Sequence, residues 1–226
     1  MTMTNLKSFI TKETEENKKY ALYTGKLYYY NLSHGYAAGL LETLGIVKGV
    51  IRGRGLEKTT INEDINAFLD KLNSIADLGM MANKTDNHEK SLDLLKELHE
   101  NILVLDEEIK EYLTDKVNLL LPSSHTKEKE SFRRMMQMAY YMNYSTKTTN
   151  MIKICVEVEN YLNKMKLDDD SKPLFPIFLM TLDVMKEFRK VPATDDKQLC
   201  IDIMKNTYPK VKEAETELAK FLCVNE

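Results

Sequence analysis

A chain of 226 residues with 43% hydrophobic and 30% charged side chains is long and apolar enough to bury a substantial core, which excludes a disordered or fibrous class. A formal net charge of -3 excludes a global electrostatic pull toward nucleic acid or anionic lipid. Three cysteines with no close pair exclude a disulfide framework, and with no signal-peptide core near Met1 they fit a reducing, cytoplasmic location.

Helical periodicity runs through the chain, and no Asn-Gly or Asp-Gly hairpin signal interrupts it, so the expected class is all-α. The first helix is expected over Asn5 to Tyr23, followed by the cluster Tyr28, Tyr29 and Tyr30 and then by a second helix from about Tyr36 to Arg52. Gly53-Arg54-Gly55 ends that helix in a glycine turn. Seven of the eight glycines lie between Gly25 and Gly55. Gly35 with Gly39, and Gly45 with Gly49 and Gly53, have four-residue spacing, which stacks them on one helix face as a smooth ridge for a close backbone contact. The least polar window, Tyr36 to Ile51, is shorter than the roughly 20 apolar residues a membrane span needs, and it contains Glu42 and Lys48.

Thr60 and Glu63 have capping-box spacing ahead of Ile61, Ile65, Phe68, Leu69 and Leu72, a helix expected to reach about Leu78. Asp86 and Glu89 repeat the spacing before a stripe from Leu92 to Val117, which predicts one helix of about 35 residues, roughly 50 Å long, from Asn87 to Leu121. Pro122, Ser123 and Ser124 end it. Phe132 to Asn143 and Met151 to Met165 describe two more amphipathic helices, the second stepping four and three residues along a bundle seam. Asp168 to Asp170 form a polar break. A helix with Pro173 as an early residue continues through Ile177, Met180, Val184 and Phe188 and holds Pro176 in its first turn. Val191-Pro192 ends it, Asp195 and Gln198 cap a short helix through Met204, and Pro209 opens the last one.

The architecture expected from these elements is a single helical bundle over residues 1–226, with eight or nine helices and one long central helix. A subordinate break is placed at 79–86.

No residue set carries chemistry. None of the four histidines has the helical partner of a metal site, no serine or cysteine sits in a nucleophile turn, and Gly49 to Gly55 lacks the Gly-Lys-Ser/Thr ending of a phosphate loop. No catalytic residue, metal ligand or cofactor is therefore expected, and an enzyme is the less favoured class. His99, beside Glu97 and Glu100, is expected at the surface or boundary.

Binding is better supported. From Lys18 to Lys58 the chain holds seven basic and two acidic residues, with half of its twelve tyrosines interleaved. Candidate binding residues are Tyr28, Tyr29, Tyr30, His34, Tyr36, Gly45, Gly49, Arg52, Gly53 and Arg54. The leading expectation is a non-enzymatic helical interaction or adaptor protein whose glycine ridge and adjacent tyrosine-rich basic surface make a close helix contact, either internally or with a protein partner or a second copy. One alternative is a carrier or sensor of an apolar ligand or lipid, walled by the methionine-rich helix Phe132 to Tyr144 and the helix from Leu174, with Lys26, Arg52 and Arg54 at a headgroup. A further alternative is nucleic-acid binding through the basic tyrosine-rich segment, by stacking and phosphate contact.

Overall fold

The computed structural model describes residues 15–116, 126–164, 172–191 and 196–222, and these contain no strand. In chain order they form α1 (Glu15–Gly53), α2 (Thr60–Lys84), α3 (His88–Glu111), a π turn (Tyr112–Lys116), α4 (Thr126–Met142), α5 (Tyr144–Lys164), α6 (Leu174–Phe188) and α7 (Lys197–Leu222). Outside the described residues lie the 5–14 part of the first expected helix, the end of the fourth at 117–121, the turn at Pro122, Ser123 and Ser124, the acidic run at 168–170, and Pro192 with Asp195. The all-α class holds, but the expected count of eight or nine helices is not met, because two expected pairs are fused.

The first fusion makes α1, 39 residues long. Tyr28, Tyr29 and Tyr30 are helical rather than a connection, because the buried positions Tyr20, Thr24, Tyr28, Leu32, Tyr36, Leu40, Leu44, Val47 and Ile51 form one unbroken stripe. Steps of four advance that stripe about 40° around the helix each time, so α1 meets different neighbours along its length. Gly25 lies against Leu92 of α3, Gly35 against Asn150 of α5, and Gly39 against Asn143 at the α4–α5 junction. Thr43 donates a 3.0 Å hydrogen bond to the Ala139 carbonyl of α4. This helix, packed on α2, α3, α4, α5 and α7, is the organising element in place of the expected 87–121 helix.

Its end matches expectation in detail. Gly55 takes φ +67°, the Leu56 amide bonds the Ile51 carbonyl at 3.0 Å, and the Gly55 amide bonds that of Arg52 at 3.1 Å. That is a Schellman motif, with Leu56 turned back on the core. The expected caps moved by one residue each. Thr59, not Thr60, is the N-cap of α2, and Asn87, not Asp86, caps α3 by accepting from the Lys90 amide at 3.0 Å.

The second fusion is α7. Pro209 lies inside it rather than at the head of a new helix. Its ring sits on the exposed side while Met204, Thr207, Val211, Ala214 and Leu218 continue one buried stripe past it. α6 starts close to the expected place, with Pro173 as its N-cap rather than inside it, and ends at Phe188, ahead of Val191. The 79–86 break is the corner between α2 and α3, with Gly79 still helical and 3.5 Å from Leu98. One apolar cluster draws on all seven helices, and a small satellite of Cys200, Ile201 and Met204 lies beside it.

Candidate functional site

All ten candidate binding residues fall on or just after α1, but that helix sends them to two different places. Tyr28, Tyr29 and Tyr36 point inward and are buried, as is Tyr20, which removes them from any stacking surface. Tyr23 lies on Tyr161 with centroids 4.5 Å apart and stays 36% exposed, and Tyr30 and His34, stacked on each other at 6.3 Å, also stand outside. Arg54 lies 5.3 Å above the Phe132 ring. Lys26, hydrogen-bonded to His88 at 3.2 Å, is separated from Arg52 by about 39 Å of helix, so the three cations do not converge on one headgroup.

The inward face ends in a polar knot that the sequence did not announce. Lys147 of α5 bonds both carboxylate oxygens of Asp106 of α3, at 3.1 and 3.2 Å, and each side chain is 1% exposed. The ammonium also lies 3.7 Å from the Tyr36 ring centre and 3.6 Å from that of Tyr144, an aromatic cage built from the protein's own chain. Tyr144 donates to Asp106 at 3.0 Å and pairs with the Tyr140 hydroxyl at 2.8 Å. Tyr36 donates to Glu215 at 2.7 Å and accepts from Lys212 at 2.6 Å, which ties α7 to α1.

Burial pushes Lys147 down to about 8, with Asp106 opposing the shift, and burial drives the Tyr36, Tyr140 and Tyr144 hydroxyls far above their ordinary range. His99 is a second correction. Instead of lying at the surface or boundary it is buried among Tyr28, Tyr29 and Tyr36, 3.3 Å from the Ser33 hydroxyl, and burial together with Lys212 lowers it to about 4.

With every direction around the ammonium filled, this knot joins α1, α3, α5 and α7 and offers no approach to a solute. Among the described residues no three of His, Cys, Asp and Glu converge as metal ligands.

The outward face of α1 is different. Among the described residues nothing lies within 4 Å of where a Cβ would stand at Gly45, Gly49 or Gly53, so the internal alternative for a close contact along this ridge finds no neighbour among them. The buried glycines that do make close contacts are Gly25, Gly35 and Gly39. On the same open face Leu41 is 55% and Ile46 39% exposed, and Glu42, Lys48 and Arg52 are exposed beside them. Spacing locates the glycine stripe, but only the winding of the helix decides which glycines are covered.

The expected cavity walls, α4 and α6, instead bury Phe132, Met136, Tyr140, Ile177 and Val184 in the core. Two open grooves lie elsewhere, along α3 and between α2 and α3, lined in part by Ala67, Lys71, Ile75, Val104 and Glu108, and neither includes a methionine. Among the described residues no helix is long and apolar enough to cross a membrane. No protein-family model, curated protein or solved structure matches the chain.

Proposed function

We propose that this chain is a non-enzymatic helical interaction protein whose contact surface is the open face of α1 from Leu41 to Gly53. The observation that carries the reading is the open space over Gly45 and Gly49. A glycine inside a helix costs about 0.8 to 1 kcal/mol relative to alanine, so the two together cost about 2 kcal/mol with no neighbour among the described residues to offset it. A partner helix that needs to approach the backbone closely supplies the offset. The exposed shoulders Leu41 and Ile46 give that partner apolar surface to cover.

The alternatives draw less support. Burial of Tyr20, Tyr28, Tyr29 and Tyr36 takes away the stacking platform that nucleic-acid binding would use. The spread of Lys26 from Arg52 and Arg54 weakens the headgroup of a lipid carrier.

A photoreactive benzoylphenylalanine in place of Leu41, compared with one in place of Val104, an exposed apolar residue of α3, tests the proposal in cells. The expected result is a covalent protein adduct from position 41 and none from position 104. No adduct at 41, or equal adducts at both, overturns it.

A further inference from the structure

We infer that the partner of this α1 face is a second copy of the chain, lying antiparallel across a two-fold axis level with Val47; the inference rests on the reading of that face as an interaction surface. Counted from residue 47, Gly45 and Gly49 lie two residues to either side, Glu42 and Arg52 five, and Leu41 and Gly53 six. A two-fold axis perpendicular to the helix at that level sets each residue beside its opposite number in the other copy. Gly45 then meets Gly49 at the crossing, where the missing side chains let the backbones close. Leu41 comes level with Gly53, a large side chain against a position that has none.

The charges select this arrangement over others. Glu42 and Arg52 are about 80° apart around the helix at 100° per residue, both exposed on the open side, and among the described residues neither makes an ion pair. Antiparallel pairing brings the Glu42 of each copy level with the Arg52 of the other, giving two symmetry-related ion pairs about 15 Å apart at 1.5 Å per residue. Parallel pairing would set Glu42 against Glu42 and Arg52 against Arg52, a like-charge penalty that rejects it. The same carboxylate argues against a nucleic-acid or membrane occupant, which would meet Glu42 without a cation to balance it. One helix crossing its copy covers less than the roughly 800 Å² per partner of a standard stable interface, so the dimer is weak and concentration-dependent.

Sedimentation velocity at loading concentrations from about 10 μM to about 1 mM, the range suited to so small an interface, gives the decisive comparison. The wild-type chain is expected to shift from monomer to dimer across that range. Glu42→Arg alone and Arg52→Glu alone each weaken the dimer at least about tenfold, and the double variant Glu42→Arg/Arg52→Glu, which restores opposite charges in swapped order, regains most of it. Gly45→Leu/Gly49→Leu abolishes it. All four positions are exposed, and an unchanged helical circular dichroism signal verifies that each variant is folded.

A wild-type chain that stays monomeric, or a double variant as weak as the singles, overturns the inference. The photocrosslink at position 41 separates the two levels of the argument. An adduct of twice the chain's mass supports self-pairing, an adduct with a different protein overturns self-pairing while leaving the interaction surface standing, and no adduct overturns both.

Discussion

Gly39 and Asn143 meet without room for a methyl group between them: a Cβ at Gly39 would stand 2.9 Å from the Asn143 Cβ and 3.0 Å from its carbonyl oxygen. Because one of those neighbours is backbone at the α4–α5 junction, the clash cannot be relieved by turning a side chain. Gly39→Ala is expected to destabilise the protein by about 1 to 3 kcal/mol, whereas Gly45→Ala, in open space, is expected to stabilise it by up to about 1 kcal/mol. Urea denaturation of the two variants checks the opposite signs, and a loss of stability at Gly45 would mean that the open face is packed.

The pairing of Lys147 with Asp106 makes a non-additive prediction. Lys147→Met leaves a carboxylate buried with little beyond the Tyr144 hydroxyl to hold it, and breaking a buried pair in this way costs about 3 to 5 kcal/mol. Lys147→Met/Asp106→Leu removes both charges and is expected to be more stable than either single variant. A double variant whose loss equals the sum of the single losses would show that the two groups act independently.

His99 makes stability depend on acidity. Its folded value is about 4 against an ordinary 6.5, so as pH falls the unfolded chain takes up the proton first. The stability tied to it is complete above about 6.5 and is lost through the window down to about 4, by up to about 3 kcal/mol. The groups facing it are Ser33, Tyr28, Tyr29 and Tyr36 from α1 and Lys212 from α7, none of which supplies a carboxylate to hold the imidazolium. His99→Gln should therefore lose less stability than the wild type between pH 7 and pH 4.5. Equal losses in denaturant titrations at the two pH values would contradict this assignment.

Cys155 is buried in α5, and burial pushes its thiol up to about 12. Alkylation by iodoacetamide at pH 8 is expected to be slow in the native protein and fast in urea, with peptide mass spectrometry reading this position separately. Labelling at the rate of an unfolded thiol would show that the α5 seam opens readily.

The helical class and the start of α6 are legible because periodicity and proline position act locally. The continuity of α1 is legible too, in the four-residue steps from Tyr20 to Leu44, but the glycines and the tyrosine run look locally like interruptions. α7 hides its continuity for a similar reason: Pro209 looks like a break, but the buried stripe continues through it from Met204 to Val211. Which glycines would be covered was beyond sequence, since Gly39 and Gly45 differ only in the angle at which a winding buried stripe leaves them. The Lys147 knot left a fainter sign. Lys147 falls four residues before Met151 on an otherwise buried face of α5, and Asp106 between Leu105 and Ile109 on that of α3, but only the tertiary contact reveals that each is the other's partner.

The caged lysine also bears on how this chain can diverge. Since either charge alone is a liability inside the bundle, a lineage descended from this sequence cannot drift through the loss of one without repairing the other. Positions 106 and 147, 41 residues apart, should vary together: a descendant that keeps the carboxylate keeps the amine, and one that has filled the space with aliphatic side chains has done so at both ends. The two aromatic walls, Tyr36 and Tyr144, are then released to change, which gives four linked columns by which distant kin of this chain could be recognised after overall identity has faded.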